Sequence, residues 1–272
     1  MIWSSVLSKL FDPYDLKARV FPGLLLLIPA IVFIALILGR KDPLIVTLSS
    51  VLATCGGPYL IASVVRTWGQ RAQDRLNKRW GGQPSTIILR HSDSRMATPT
   101  KLQYHQLIQQ KLSINVPTAA DEAYDSESAD QAYTAAANAL RPLVNADKKR
   151  YPFVFKELVA YGFNRNAYGS RWVGVFICAA AILATLVHGA VLKLTSPYGD
   201  FAALAAQDAA HVLTLVVAGV FMLVWLLHFT DKTVEQAGYT YALRLWEALL
   251  TVKKPPPKSY KATSPNAASG TI

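Results

Sequence analysis

Residues 21–39 read FPGLLLLIPAIVFIALILG and contain no charged side chain. A helix needs about 20 apolar residues to cross the roughly 30 Å of hydrocarbon in a bilayer, so this run is long enough to span it. A secretory signal has a shorter apolar core and a small-residue cleavage site, whereas this run ends in LGRKDP at residues 38–43 and a second apolar run follows. We therefore interpret residues 21–39 as a retained transmembrane helix.

Three further runs have spanning length and lack Asp, Glu, Lys and Arg: Leu44–Val65, Trp172–Leu192 and His211–Phe229. The whole chain of 272 residues is 52% hydrophobic and 17% charged, against about 25% charged residues in an average soluble domain. The sequence thus predicts an all-α polytopic membrane protein. Its four transmembrane helices would form two hairpins, residues 21–65 and 172–229, separated by a mostly helical cytoplasmic domain at residues 66–171.

The positive charge falls on one side of this arrangement. Of the net charge of +11, residues 1–20 carry +1, residues 66–171 carry +7 and the region after residue 229 carries +3, while the two short connections together carry none. Lys and Arg close to membrane ends are retained in the cytoplasm. We therefore expect both termini and residues 66–171 to be cytoplasmic in a bacterial inner membrane, with a eukaryotic organelle membrane as the alternative.

The remaining segments have distinct patterns. Within the cytoplasmic domain, β-branched residues predict a short strand at residues 85–90, and a Thr-Pro start predicts a helix at residues 98–112. Five acids at residues 121–130 favour a solvated helix entrance over a divalent-cation site.

The C-terminal region has two parts. Residues 230–252 keep helical periodicity, and we interpret them as a cytoplasmic helix. Residues 253–272 are rich in Pro and Lys, and we interpret them as a disordered tail.

A cluster of cations directly follows the second apolar run. It comprises Arg66, Arg71, Arg75, Lys78 and Arg79, with Trp68 and Trp80 among them. Three of the cations recur every four residues and so share one helical face. A basic face flanked by tryptophans suits anionic lipid headgroups, to which each cation contributes about 1 kcal/mol. An anionic small-molecule ligand or a nucleic acid is the alternative partner.

Small and helix-breaking residues mark the second apolar run. Ser49, Ala53 and Gly57 recur every four residues, a spacing that lets another helix pack closely. Gly56, Gly57 and Pro58 are adjacent and predict a kink or hinge. A discontinuous helix that lines a conduction path is the alternative interpretation.

An aromatic stretch leads into the third apolar run. Residues 151–169 contain six Tyr and Phe residues, as expected of a belt at the membrane interface. Within it, Asn164, Arg165 and Asn166 lie between Gly162 and Gly169. We interpret these three residues as a polar elbow that fixes the cytoplasmic domain against the membrane.

Candidate catalytic and metal-binding residues are few. His188, Asp208 and His211 are expected at one depth of the second hairpin, where hydrogen-bonded histidines are favoured over a proton or metal site. The chain has no Walker A, H-E-x-x-H, G-x-S-x-G or C-x-x-C motif, and its four apolar runs contain no carboxylate. We therefore expect neither enzymatic activity nor a cofactor or metal.

The layout of two hairpins around a cytoplasmic domain resembles the four-span membrane effectors of bacterial defence systems. That resemblance implies a cytosolic part that senses a signal and spans that perturb the membrane. The first functional hypothesis is thus a self-associating membrane protein whose cytoplasmic domain gates or disrupts the bilayer on binding an anionic ligand or partner. The second is a membrane scaffold or anchor that recruits a cytosolic protein.

Overall fold

The computed structural model describes residues 13–39, 42–44, 47, 51, 57–193, 195–200 and 202–253. Its helices in chain order are α1 (Pro13–Leu38), α2 (Gly57–Trp80), α3 (Pro84–Ile87), α4 (Thr98–Leu107), α5 (Ala119–Tyr124), α6 (Ser126–Asn145), α7 (Pro152–His188), α8 (Ala202–Ala205), α9 (Ala209–Leu227) and α10 (Asp231–Ala248). These described residues form no β-strand. For this part of the chain the prediction of an all-helical protein is confirmed.

Three helices, α1, α7 and α9, are long and apolar enough to cross a membrane. They contain most of the first, third and fourth apolar runs. The second run, Leu44–Val65, is described only in part, with the described portion of α2 beginning at Gly57. Before it, Thr47 Oγ1 donates a 3.0 Å hydrogen bond to the carbonyl oxygen of Pro43, four residues earlier. The fourth span and the two-hairpin layout remain predictions.

Two groups of buried apolar side chains organise the described helices. The larger group, which we call the domain core, includes Leu76, Ile108, Leu140, Val154 and Leu245. The smaller group, the bundle core, comprises Leu26, Ala167, Cys178, Trp225 and Phe229. The domain core therefore unites α2, α6, α7 and α10, whereas the bundle core unites α1, α7 and α9.

Helix α7 connects the two cores. Its 37 residues extend over about 55 Å at 1.5 Å per residue, well beyond the hydrocarbon thickness. Its first half supplies Val154 to the domain core and its second half supplies Cys178 to the bundle core. Along this length α7 packs against α1, α2, α9 and α10.

Helix α10 belongs to the domain core, although it directly follows α9. Thr230 begins it with a capping box to Thr233. Trp246 is fully buried and donates from Nε1 to the carbonyl oxygen of Ser85, 3.0 Å away. Of the disordered tail predicted at residues 253–272, residues 254–272 lie outside the described residues, as do residues 1–12.

The strand predicted at residues 85–90 is wrong. Pro84–Ile87 form the short helix α3, and turns continue to Arg90. The β-branched side chains are buried against α6 and α10 instead of pairing with another strand, and the Thr86 and Thr134 hydroxyl oxygens lie 3.0 Å apart. The helix predicted at residues 98–112 is present as α4 and a π-helical turn, Ile108–Leu112.

Candidate functional site

The predicted basic face is an exposed surface of α2. Its five cations, Arg66, Arg71, Arg75, Lys78 and Arg79, are all exposed. The opposite side of the helix is buried through Val65, Gly69, Ala72 and Leu76. The helix is therefore amphipathic in the sense the sequence predicted, with its cations available to an anionic surface.

These cations have few acidic neighbours. Arg79 Nη1 lies 3.1 Å from Asp231 Oδ2, at the start of α10. Both side chains are substantially exposed, at 65% and 42%, so the pair contributes little to stability. Among the residues that the structure describes, no carboxylate forms an ion pair with Arg66, Arg71 or Arg75. The positive charge of this face is thus largely uncompensated.

The small-residue face predicted in the second apolar run is described only at its end. Gly57 is buried and Pro58 is partly buried in the first turn of the described portion of α2. Ser49, Ala53 and Gly56 lie outside the described residues. The packing face and the kink remain predictions.

Helices α2 and α7 cross with their backbones in direct contact. A Cβ atom placed on Gly169 would lie 2.6 Å from both the backbone nitrogen of Gly69 and the carbonyl carbon of Trp68. A Cβ atom on Gly69 would in turn lie 2.9 Å from the Cα atom of Asn166. Real Cβ contacts are longer than this, so the crossing requires glycine on both helices.

Asn166 lies at this crossing and is fully buried. Its Nδ2 donates a 2.6 Å hydrogen bond to the carbonyl oxygen of Ala18 in α1. Its Oδ1 accepts a 3.3 Å hydrogen bond from Nε of Arg165. One side chain therefore joins three helices: α7, which carries it, α2, which it touches at Gly69, and α1.

The shape predicted for residues 164–166 needs correction. Helix α7 continues without interruption through Asn164, Arg165 and Asn166, so they form no elbow. Asn164 Nδ2 donates to the carbonyl oxygen of Ala160 in its own helix, 2.9 Å away. Arg165 Nη1 donates to Oε1 of Gln73 in α2 over 2.6 Å. Flanking glycines suggested a bend, but in the structure Gly169 permits a helix crossing instead.

A polar cleft of about 250 Å³ opens beside this crossing, where α1, α2, α3, α6, α7 and α10 meet. Its polar lining includes Gln73, Gln83, Ser85, Arg141, Asn145 and Arg165. Tyrosine rings complete the wall, among them Tyr161 and Tyr241, which stack at 6.2 Å between ring centroids. The described lining contains two guanidinium groups and no carboxylate.

Arg141 is held in the cleft by neutral acceptors. Its Nη2 donates to Oε1 of Gln83 at 2.9 Å and to Oγ of Ser85 at 2.8 Å, and its Nη1 donates to Oδ1 of Asn138 at 3.0 Å. The sequence interpretation missed this residue. A signal was available, because Arg141 is the only Lys or Arg between Lys111 and Lys148 and lies in an alanine-rich helix.

A second polar cluster lies around Glu122, in the domain at residues 66–171. This carboxylate, 7% exposed, accepts hydrogen bonds from the backbone nitrogens of His91 and Ser92, at 2.8 and 3.1 Å, and from the Tyr133 hydroxyl at 2.7 Å. Burial raises the pKa of Glu122, but these bonds outweigh it and lower the pKa to about 2. The acids at residues 121–130 are therefore not all solvated, as the sequence suggested.

Buried Lys101 binds the backbone of the loop at residues 90–93, which Glu122 also contacts at His91 and Ser92. Its Nζ donates to the carbonyl oxygen of Arg90 at 2.5 Å and also to that of Asp93. Burial lowers the pKa of Lys101 and of the neighbouring His105, whose Nε2 lies 2.8 Å from the carbonyl oxygen of Leu89. Because each of these groups bonds to the loop backbone, the cluster fixes the loop conformation.

His188 of α7 and His211 of α9 meet as expected. His188 Nδ1 and His211 Nε2 are 2.9 Å apart, and His211 Nδ1 lies 2.6 Å from Oδ1 of Asp208. Asp208 also caps α9 by accepting from the backbone nitrogen of His211 at 3.0 Å. Within the described ranges, no group of three or more His, Cys, Asp or Glu residues is arranged to hold a metal ion.

Comparisons with protein-family models, with curated proteins and with solved structures find no match for this chain. The fold of the described residues defines the class, because they are all-helical and include three helices that can span a membrane.

Proposed function

We propose that this is a self-associating, four-span protein of the bacterial inner membrane in which a cytoplasmic helical domain gates or perturbs the bilayer. Both termini and residues 66–171 lie in the cytoplasm in this proposal, because the net positive charge is concentrated in those segments. The basic face of α2 then contacts anionic headgroups. Four transmembrane helices follow if residues 44–65 complete the first hairpin.

The observation that carries the proposal is the continuity of α7 from the domain core to the bundle core. A rigid helix shared by two cores transmits a displacement of one to the other, because packed cores deform in discrete steps rather than continuously. The Asn166 crossing adds α1 and α2 to the same unit. A ligand or partner that shifts the cytoplasmic domain would therefore shift the membrane helices.

Self-association is supported by the outer surface of the apolar helices. In their most apolar windows, 28% of the residues of α7 and 22% of those of α9 are buried, so most face outward. Exposed aromatic and aliphatic residues include Trp172, Phe176, Leu223 and Leu227. Helices with this surface contact either lipid or further copies of the same chain.

Perturbation of the bilayer requires more than one copy. The bundle core of a single chain is apolar, and its buried threonines bond within their own helices: Thr185 Oγ1 donates to the carbonyl oxygen of Ala181 and Thr214 Oγ1 to that of Ala210, both at 2.7 Å. A conducting path would therefore form between assembled copies. The same dry core favours the second candidate function, a non-enzymatic scaffold that recruits a cytosolic protein.

Dye release from liposomes that contain the purified full-length chain tests the proposal. We expect release to rise steeply with the protein-to-lipid ratio, in parallel with a ladder of crosslinked oligomers. Gly169→Ala should abolish release while the protein stays inserted, because its Cβ would meet the backbone of α2. Gly219→Ala in α9 is the matched control, because a Cβ there meets nothing within 4 Å. Oligomers without release at any ratio would favour the scaffold.

A further inference from the structure

The polar cleft beside the α2–α7 crossing contains charge that its surroundings do not balance. Arg141 and Arg165 both line it, and no carboxylate among the described residues forms an ion pair with either. The hydrogen-bond acceptors that hold them, Gln73, Gln83 and Ser85, are neutral. Both arginines are partly buried, and charged groups that lose part of their water are normally paired. Two guanidinium groups without a described carboxylate partner in one cleft therefore suit an anionic ligand.

Hydrogen-bond donors remain for that anion. Arg165 uses Nε for Asn166 and Nη1 for Gln73, and its Nη2 makes no hydrogen bond to any residue that the structure describes. Tyr161 and Asn145, whose side chains can also donate hydrogen bonds, belong to the lining. Planar guanidinium groups with neighbouring neutral donors suit the tetrahedral oxygens of a phosphoryl group.

The size of the cleft limits the ligand. Its volume of about 250 Å³ lies below the range of about 300–1,000 Å³ that is typical of pockets for drug-sized molecules. The cleft therefore suits inorganic phosphate or a small phosphate monoester rather than an oligonucleotide. We propose that the Arg141–Arg165 cleft is a binding site for a phosphate monoester group.

The position of the cleft gives this binding a consequence, which rests on the proposed function. Arg141 belongs to α6 in the cytoplasmic domain, whereas Arg165 belongs to α7 at the crossing with α2. A phosphoryl group between them ties the domain to the membrane helices. When the cleft is occupied, the domain then transmits this signal to the bilayer through α7.

Thermal unfolding of the full-length chain in detergent tests the site, with inorganic phosphate and glycerol 3-phosphate as probes. Ligand that binds the folded state raises the unfolding temperature in a concentration-dependent way. We expect both probes to stabilise the wild type, and the double variant Arg141→Gln, Arg165→Gln to bind about tenfold or more weakly. The variant Lys149→Gln, Lys232→Gln removes the same charge from exposed positions outside the cleft and outside the basic face of α2, and it should bind as the wild type does.

A second variant covers the case in which the double variant fails to fold. Gln73→Glu keeps the acceptor that Arg165 contacts but adds a carboxylate, which should occupy the place of the anion. We expect this variant to unfold at a higher temperature than the wild type without ligand and to lose the stabilisation by phosphate. Stabilisation by phosphate equal to that of the wild type would overturn the proposal.

Bilayer discs of phosphatidylcholine, with and without phosphatidic acid, distinguish a lipid headgroup from a free phosphate. If phosphatidic acid stabilises the protein through both arginines and the soluble probes have no effect, the ligand of the cleft is a lipid headgroup. No stabilisation of the wild type by any of the three probes would overturn the site. Arginine-dependent binding without dye release would instead overturn the proposed function and leave the site intact.

Discussion

Asn166 and Ala18 are 148 residues apart in the chain, yet Nδ2 of Asn166 donates a 2.6 Å hydrogen bond to the carbonyl oxygen of Ala18. The bond joins the first turns of α1 to the middle of α7. Because the asparagine is fully buried, it has no water with which to replace this partner. The start of the first apolar helix is therefore fixed to the helix that the domain core and the bundle core share.

Replacing Asn166 should loosen this junction. Asn166→Ala leaves the Ala18 carbonyl oxygen and the Arg165 Nε without a partner, so we expect a loss of about 1–3 kcal/mol in the free energy of unfolding. Asn164→Ala, two residues earlier, removes a bond within α7 alone and should cost about 0.5 kcal/mol or less. Thermal unfolding in detergent measures both. Equal losses for the two variants would contradict a special role for Asn166.

Acid should destabilise the domain at residues 66–171 through Glu122. The pKa of Glu122 is about 2 in the folded chain, below its ordinary value of 4.5, so its contribution to stability is complete above pH 4.5 and is lost as pH falls toward 2. Glu122→Gln should lower the unfolding temperature at pH 7 and flatten its decline between those pH values. Glu127→Gln, an exposed residue of the same acidic cluster, should keep the wild-type profile. An unchanged profile for Glu122→Gln would contradict the hydrogen-bonded carboxylate.

The basic face of α2 should respond to lipid charge one residue at a time. Arg71→Gln and Arg75→Gln should each reduce the stabilisation that anionic lipid gives over phosphatidylcholine, by about 1 kcal/mol per cation. Arg79→Gln should reduce it less, because Asp231 already offsets its charge. Unfolding in bilayer discs of the two compositions measures the difference. A larger effect of Arg79→Gln than of the other two would contradict this assignment.

Gly57 tests the small-residue face and self-association together. It is buried, and a leucine there should prevent close approach of a neighbouring helix. We expect Gly57→Leu to shorten the ladder of crosslinked oligomers in membranes. Thermal unfolding of Gly57→Leu in detergent is the control for loss of the fold, because Gly57 is buried within the single chain. An unchanged ladder for Gly57→Leu would remove this face from the assembly interface.

Sequence patterns correctly predicted those features that depend on local composition. Apolar runs predicted α1, α7 and α9, the described helices that can span a membrane. The four-residue spacing of Arg71, Arg75 and Arg79 predicted their common exposed face. Features that depend on distant partners were missed. Residues 85–90 have β-branched side chains, but burial against α6 and α10 overrides that preference. Glu122 lies among solvated acids in the sequence, and only the folded chain brings Tyr133 and the loop at residues 91–92 to it.

The candidate cleft could not be found by pattern, because its residues come from six helices. Arg141 and Arg165 have no common spacing, and each alone has the composition of an ordinary helix surface. Their significance arises from a shared cleft whose described lining contains no carboxylate. Likewise Gly169 suggested a bend, since the sequence alone does not reveal the helix that passes over it.

The position of residues 44–65 decides whether the domain at residues 66–171 lies on the cytoplasmic side. With four spans, Lys41 and Asp130 lie on opposite sides of the membrane, whereas with only α1, α7 and α9 as spans they lie on the same side. Alkaline phosphatase fusions after each residue measure this, because the enzyme is active only outside the cytoplasm. We expect activity after Lys41 and none after Asp130. Equal activity at the two positions would contradict a cytoplasmic domain flanked by two transmembrane hairpins.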